Sequence, residues 1–168
     1  MSYSDHFKLA DELLTHVAPL VSSLDDPFLQ SRYTGFVSVA GVTVYELAIK
    51  QIFCDFGVAK HRVLGIFTQS YFDRLNGRIK YSILHEEYVS KFGDKYVAKF
   101  KKNVQKKNES YLRQYRKDIL TCYNNLITWR NQFAHEGILP PNATFSDTVE
   151  AYELGKIVLA CLADAMCR

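Results

Sequence analysis

Six consecutive residues, Arg130-Asn131-Gln132-Phe133-Ala134-His135, bring a guanidinium, a carboxamide and an imidazole together just before Glu136-Gly137. Each suits a different part of one reaction. A guanidinium is a permanently charged, planar fork of donors that matches a phosphate and can stabilise the extra charge of a pentavalent phosphorus. Imidazole is the side chain whose charge ordinarily changes nearest neutral pH, so it can take up and return a proton. RNA carries its own nucleophile in the 2′-hydroxyl. A base plus a phosphate clamp is therefore enough to break an RNA strand, and the reaction expected of these residues uses no metal and no cofactor. The competing reading of the same residues is a helix-ending histidine beside a surface arginine, with no chemistry attached.

Such a site depends on a helix to hold it. Asn131 and His135 are four residues apart and share one helical face, with Arg130 beside it. Leu112, Tyr115, Ile119, Cys122, Leu126, Trp129 and Phe133 recur at threes and fours, which predicts one long helix from about Asn108 to His135. Trp129 and Phe133 would anchor its end to the core and leave the polar trio at an edge. Gly137 is a natural stop, and Pro140-Pro141 forbid continuation.

The remaining elements follow from the same periodicity. A first helix is expected from about Ser4 to Ser22, and Asp25-Asp26-Pro27 makes a turn with Pro27 well placed to open the next helix. That second segment, about Pro27 to Asp55, is apolar almost all round. VSVAGVTV would also suit a strand, but the apolar spacing continues through Ile52 and favours a buried central helix. A third helix is predicted from about Gln69 to Phe92, ending at Gly93, followed by a lysine-rich shorter helix or ordered loop. A last helix opens near Thr144 or Ser146. The expected fold is all-α, a single-domain bundle of about five helices over residues 1–168.

Apolar residues make up 48% and charged residues 23%, as in ordinary globular chains rather than disordered ones. No secretory leader and no membrane span is expected, and the predicted location is the cytoplasm. Cys54, Cys122, Cys161 and Cys167 are scattered, so thiols are expected rather than a disulfide frame or zinc site, with Cys161 and Cys167 inert. The net charge is +3, but Lys91 to Lys117 carries +8 against −5 for the rest. That asymmetry points to a polyanion or an acidic protein partner. Lys95, Lys99, Lys102 and Lys106 would line one helical face, as a track for RNA phosphates or as a solvated surface. Arg74, Arg78 and Lys80 are placed with Asp73 on the third helix as an ion-pair ladder, with a supporting role near the cleft as the alternative.

RNQFAHEG, near the end of a long helix and followed by one more, resembles the signature of the HEPN superfamily: Arg, then four to six residues, then His, often with Asn after the Arg. The apolar second helix with its acidic residue (VTVYELAIKQIF), YFDRLNGRIKYSI and EYVSKFG are similar to RiboL-PSP and related HEPN domains, over about residues 5–165. The resemblance implies a helical bundle that forms a homodimer with two motifs facing across a shared cleft. It also implies a metal-independent endoribonuclease of a toxin–antitoxin or antiviral-defence system, controlled in some members by an antitoxin or another regulatory protein. Arg130 and His135 would be catalytic, with Asn131 orienting the histidine or the scissile phosphate. Glu46 matches the acidic residue of the second helix, where it would hold Arg130 or fix the tautomer of His135. Non-catalytic members that bind a partner protein or nucleic acid share the same bundle.

Overall fold

Asp26 and Pro27 start the central helix as their chemistry dictates. Pro27 occupies the first helical turn, and the Asp26 carboxylate caps it by accepting the Phe28 N–H at 2.8 Å. The computed structural model describes residues 2–167, without the side chain of Cys167, and no strand occurs among them. After a 3-10 turn, α1 spans Phe7–Ser23 and α2 spans Pro27–Lys60. Then come α3 (Arg62–Phe72), a one-turn α4 (Tyr81–Ile83), α5 (Asp94–Tyr115), α6 (Ile119–Glu136) and α7 (Phe145–Cys167). The all-α architecture agrees with expectation; the α-helical segments number seven rather than about five among the described residues.

The VSVAGVTV stretch is helical, and its all-round apolar character has a simple cause. α2 packs against α1, α3, α6 and α7, so it has no wide solvent face to make polar. By length and composition α2 could cross a membrane, with a mean hydropathy of 1.4 in its most apolar window. Yet 56% of that window is buried against the other helices, as the core helix of a bundle must be. Three stacked tyrosines lock the helices together. Tyr45 of α2 stacks on Tyr123 of α6 at 5.7 Å and on Tyr152 of α7 at 5.8 Å between ring centroids. Their hydroxyls, fully buried at Tyr45 and Tyr123, are all used: Tyr45 donates to the Tyr152 carbonyl, Tyr123 to the Ile79 carbonyl at 2.6 Å, and Tyr152 to Asp11 at 2.8 Å. Gly155 leaves the room that lets the Tyr45 ring approach α7.

α2 runs on to Lys60, past the expected end near Asp55, and α3 opens at Arg62 rather than near Gln69; two further expected helices are broken. The continuous helix over Gln69–Phe92 does not exist: α3 ends at Phe72, residues 73–80 form a loop, and α4 runs on through a π turn (Leu84–Tyr88) and a 3-10 turn (Val89–Phe92). Asn76-Gly77 is a turn dipeptide, and Gly77 adopts φ +60, which a helix interior excludes. Gly93, at φ 110, does end the segment. The long helix over Asn108–His135 is also broken. Arg116 takes a left-handed φ of 58, and Asp118 caps a new helix by accepting the Thr121 N–H at 2.8 Å. The Asn108 side chain accepts the Ile119 N–H at 2.8 Å across the break. Leu112 and Tyr115, which seemed to continue the stripe of α6, therefore belong to α5 and are 40% and 53% exposed. The lysine-rich segment is a full 22-residue helix, longer than expected. α7 opens where expected: the Thr144 hydroxyl accepts the Asp147 N–H at 3.1 Å.

Candidate active site

α6 carries the motif, and α2 lies alongside it. Trp129 is buried, and Phe133 lies half-buried over Gly35 of α2, meeting Phe36 edge-on at 5.6 Å. Those contacts orient the last two turns of α6, so that Arg130 turns toward α2 and the 73–80 loop. There it meets Glu46. The Arg130 Nη2 donates to Glu46 Oε1 at 3.0 Å, with the two side chains 22% and 15% exposed. The Arg130 Nη1 donates to Asn131 Oδ1 at 2.9 Å. Glu46 thus holds Arg130, the first of the two roles open to it. The Glu46 carboxylate, set in the apolar middle of α2, is explained by its partners, since a largely buried charge needs them.

The loop supplies a further contact that the sequence reading missed. The Gly77 N–H donates to the same Glu46 oxygen at 2.8 Å, so backbone and guanidinium converge on one acceptor. Gly77 also lies directly against Arg130: a Cβ built on it would stand 2.6 Å from Nη1. Buried Leu75 and Ile79 pin the loop, as do the Tyr123 hydroxyl on the Ile79 carbonyl and the Tyr81 N–H donating to Asn124 Oδ1 at 3.2 Å. The readable signal was Asn76-Gly77, a turn motif that the apolar spacing on either side outweighed.

His135 lies in the last turn of α6, exposed and without a hydrogen bond or ion pair among the described residues. Its imidazole is open to solvent, while Arg130 one turn earlier is tethered. Asn131 lends its carbonyl to Arg130, and its amide N–H groups make no hydrogen bond among the described residues. Three guanidinium N–H groups of Arg130 likewise remain for an anion. Beyond His135 the chain turns at Gly137 (φ 71), whose carbonyl accepts from Arg32 of α2. The Arg32 guanidinium lies 4.7 Å from the Phe28 ring centroid and 6.0 Å from that of Phe133. An aromatic–arginine platform with exposed Phe28, Phe36 and Ile138 therefore borders the motif.

The lysines of α5 stand apart from this arrangement. Lys99 donates to the Ala165 carbonyl near the end of α7 at 3.4 Å, while Lys95, Lys102 and Lys106 are exposed and unpaired. α5 packs mainly on α7, and no hydrogen bond or ion pair links these lysines to Arg130, Asn131, Glu46 or His135. The proposed Asp73 ladder does not form: Arg78 pairs with Glu87 at 2.8 Å, and Arg74 and Lys80 have no partner among the described residues. Cys54 and Cys122 are half-buried free thiols and Cys161 is a buried one, with burial raising the pKa of all three and Cys161 to about 11, as expected of inert cysteines. The matching expectation for Cys167 lies outside the described side chains. Among the described residues, no three His, Cys, Asp or Glu side chains gather as metal ligands would.

No curated protein and no solved structure shows significant similarity to this chain. The RiboL-PSP-HEPN family model matches residues 4–168, from the first turn through α7 and across every residue of the Arg130–His135 site. The chain belongs to the RiboL-PSP-HEPN family.

Proposed function

We propose that the protein is an endoribonuclease that cleaves RNA by attack of its own 2′-hydroxyl, acting as a toxin or antiviral-defence effector. The observation that carries this reading is the pairing of a tethered arginine with a free histidine on one helix end. His135 removes the 2′-hydroxyl proton as the oxygen attacks phosphorus. The P–O5′ bond breaks, leaving a 2′,3′-cyclic phosphate and a 5′-hydroxyl once the departing oxygen gains a proton. Arg130 stabilises the charge on the equatorial oxygens, and Glu46 holds it in place beforehand, so little reorganisation is needed during reaction. Asn131 holds Arg130 through its carbonyl and offers its amide to the phosphate.

In-line displacement puts the leaving oxygen opposite the nucleophile, so one imidazole cannot serve both at once. A second copy of the chain supplies the other histidine in this reading, and the protein works as a homodimer with both motifs at a shared cleft. The Phe28–Phe36–Ile138 surface beside the motif suits such a contact. Lys95, Lys102 and Lys106 of α5 are exposed, and with Lys99 they would meet RNA or an acidic antitoxin in this reading.

The test is a gel of total RNA from cells expressing the chain, repeated with the purified protein. The parent should cleave RNA to products ending in 2′,3′-cyclic phosphate and arrest growth, with activity unchanged in excess EDTA. Arg130→Ala and His135→Ala should abolish both while leaving circular dichroism and oligomeric state intact. Cleavage that persists in both variants refutes the catalytic assignment. A parent that binds RNA or a protein without cutting it supports the rival reading, a non-catalytic binding module, for which Arg130 is a structural ion-pair partner of Glu46.

A further inference from the structure

The 73–80 loop has two sides. Its inner side touches the site through Gly77, which sits against Arg130 and shares Glu46 with it. Its outer side is polar and basic. Tyr71, Arg74, Asn76, Arg78 and Glu87 line a depression of about 190 Å³ on that side, floored by buried Phe72, Leu75 and Tyr88. Arg78 is compensated by Glu87 at 2.8 Å. Arg74 and Lys80 are exposed and unpaired, and the Lys91 ammonium stands 5.4 Å over the Tyr71 ring. Between Tyr71 and Lys91, four bases (Arg74, Arg78, Lys80 and Lys91) thus stand with three acids, Asp73, Glu86 and Glu87. This is a small positive field at the wall of the site.

The loop is also braced. Glu46, Tyr123 and Lys50 each bind its backbone, at Gly77, Ile79 and Asp73, so Arg74 and Lys80 are carried on a fixed frame rather than a free strand. Arg74 is three steps along the chain from Gly77 beside Arg130, at most roughly 11 Å fully extended. An RNA strand whose scissile phosphate meets Arg130 needs cations for its neighbouring phosphates, and Arg74 and Lys80 each lie three residues from Gly77, the loop residue against Arg130. The α5 lysines, on a helix packed mainly against α7, have no such link to Arg130.

We propose that the outer wall of the 73–80 loop is a phosphate-binding subsite for the single-stranded RNA that passes through the Arg130–His135 site. Arg74 and Lys80 contact phosphates flanking the scissile one. The proposal rests on the ribonuclease reading and extends it by giving the strand a direction away from α5.

The experiment measures binding of a fluorescein-labelled single-stranded RNA to the full chain carrying His135→Ala, by anisotropy between 50 and 200 mM salt. Adding Arg74→Ala and Lys80→Ala should weaken binding about tenfold and reduce the slope of log affinity against log salt by about 1.4, near 0.7 per phosphate contact in a single strand. A charge-matched pair elsewhere on the surface, Lys8→Ala with Lys60→Ala, should change affinity less than twofold. Circular dichroism of each variant confirms the fold, and Arg74→Gln with Lys80→Gln serves if the alanine pair is unstable. An unchanged slope in the loop variants overturns the subsite, as does a loss carried by Lys102→Ala with Lys106→Ala instead. If the His135→Ala chain binds no RNA, the subsite falls. The cleavage assay on the parent then decides separately whether the ribonuclease reading falls with it.

Discussion

Replacing Gly77 by alanine probes the geometry of the site without touching a charged group. Two costs are built into that position. The left-handed φ of +60 penalises any Cβ by about 1–2 kcal/mol. The new methyl would also stand 2.6 Å from Nη1 of Arg130, closer than real Cβ contacts allow, so the guanidinium must move. Moving it loosens the hydrogen bonds to Glu46 at 3.0 Å and to Asn131 at 2.9 Å. With Arg130 only 22% exposed, solvent replaces those bonds incompletely, and about 1 kcal/mol is lost. Gly77→Ala should therefore destabilise the chain by about 2–3 kcal/mol, and its thermal midpoint should fall by roughly 4–12 °C for a chain of this size.

In an Arg130→Ala background the clash disappears and only the backbone cost of about 1–2 kcal/mol remains. The assay is urea denaturation followed by circular dichroism on parent, both single variants and the double variant, all at one protein concentration. The cycle should return a coupling of about 1 kcal/mol, with the double variant more stable than the sum of the singles implies. A coupling below about 0.5 kcal/mol, the ordinary scatter of independent sites, would refute the claim that Gly77 holds Arg130 in place. The same variant should lower cleavage more than its stability loss explains, because the arginine is displaced from the phosphate it is proposed to bind.

Gly155→Ala should be among the most damaging single changes: a methyl there overlaps the Tyr45 hydroxyl and comes within 2.9 Å of its ring, both fully buried. Unfolding in urea should show a loss of about 3 kcal/mol. His85 gives a pH dependence. Burial, helped by the Lys101 ammonium and opposed by Glu86, lowers its pKa below the ordinary 6.5, so the unfolded chain binds that proton more readily than the folded one. Its contribution to stability is whole above 6.5 and is lost as the pH falls from there through the folded value. Urea midpoints measured between pH 8 and 5 should therefore drop less steeply for His85→Gln than for the parent, and equal slopes would show that His85 is not the cause.

Much of this protein is legible without coordinates, wherever a local rule coincides with the tertiary environment. Asp26-Pro27 announces the start of α2, Gly93 the end of a segment and Gly137 the end of α6, because caps and terminators act within a few residues. The Arg–Asn…His arrangement is equally local, since helical spacing places Asn131 and His135 on one face. The two broken helices arise where local spacing and packing diverge. Leu112 and Tyr115 keep the period of α6 but are half-exposed on α5, because Arg116 turns the chain so that Ile119 onward can enter the core. Asn76-Gly77 lies inside an apolar pattern that is shared by two separate elements.

The amino-acid order alone determined the helical class, the central position of the apolar second helix and the end of α6 as the place where an arginine and a histidine meet. Only the tertiary structure decided what holds that arginine. Glu46 lies 84 residues away from it and Gly77 lies 31 residues from Glu46, so their convergence on one carboxylate oxygen depends on helices α2 and α6 packing side by side. Periodicity records which face of a helix is buried, but not which residue of another helix lies opposite; that is set by the buried Tyr45–Tyr123–Tyr152 stack and by the close approach of α2 to α6 at Gly35.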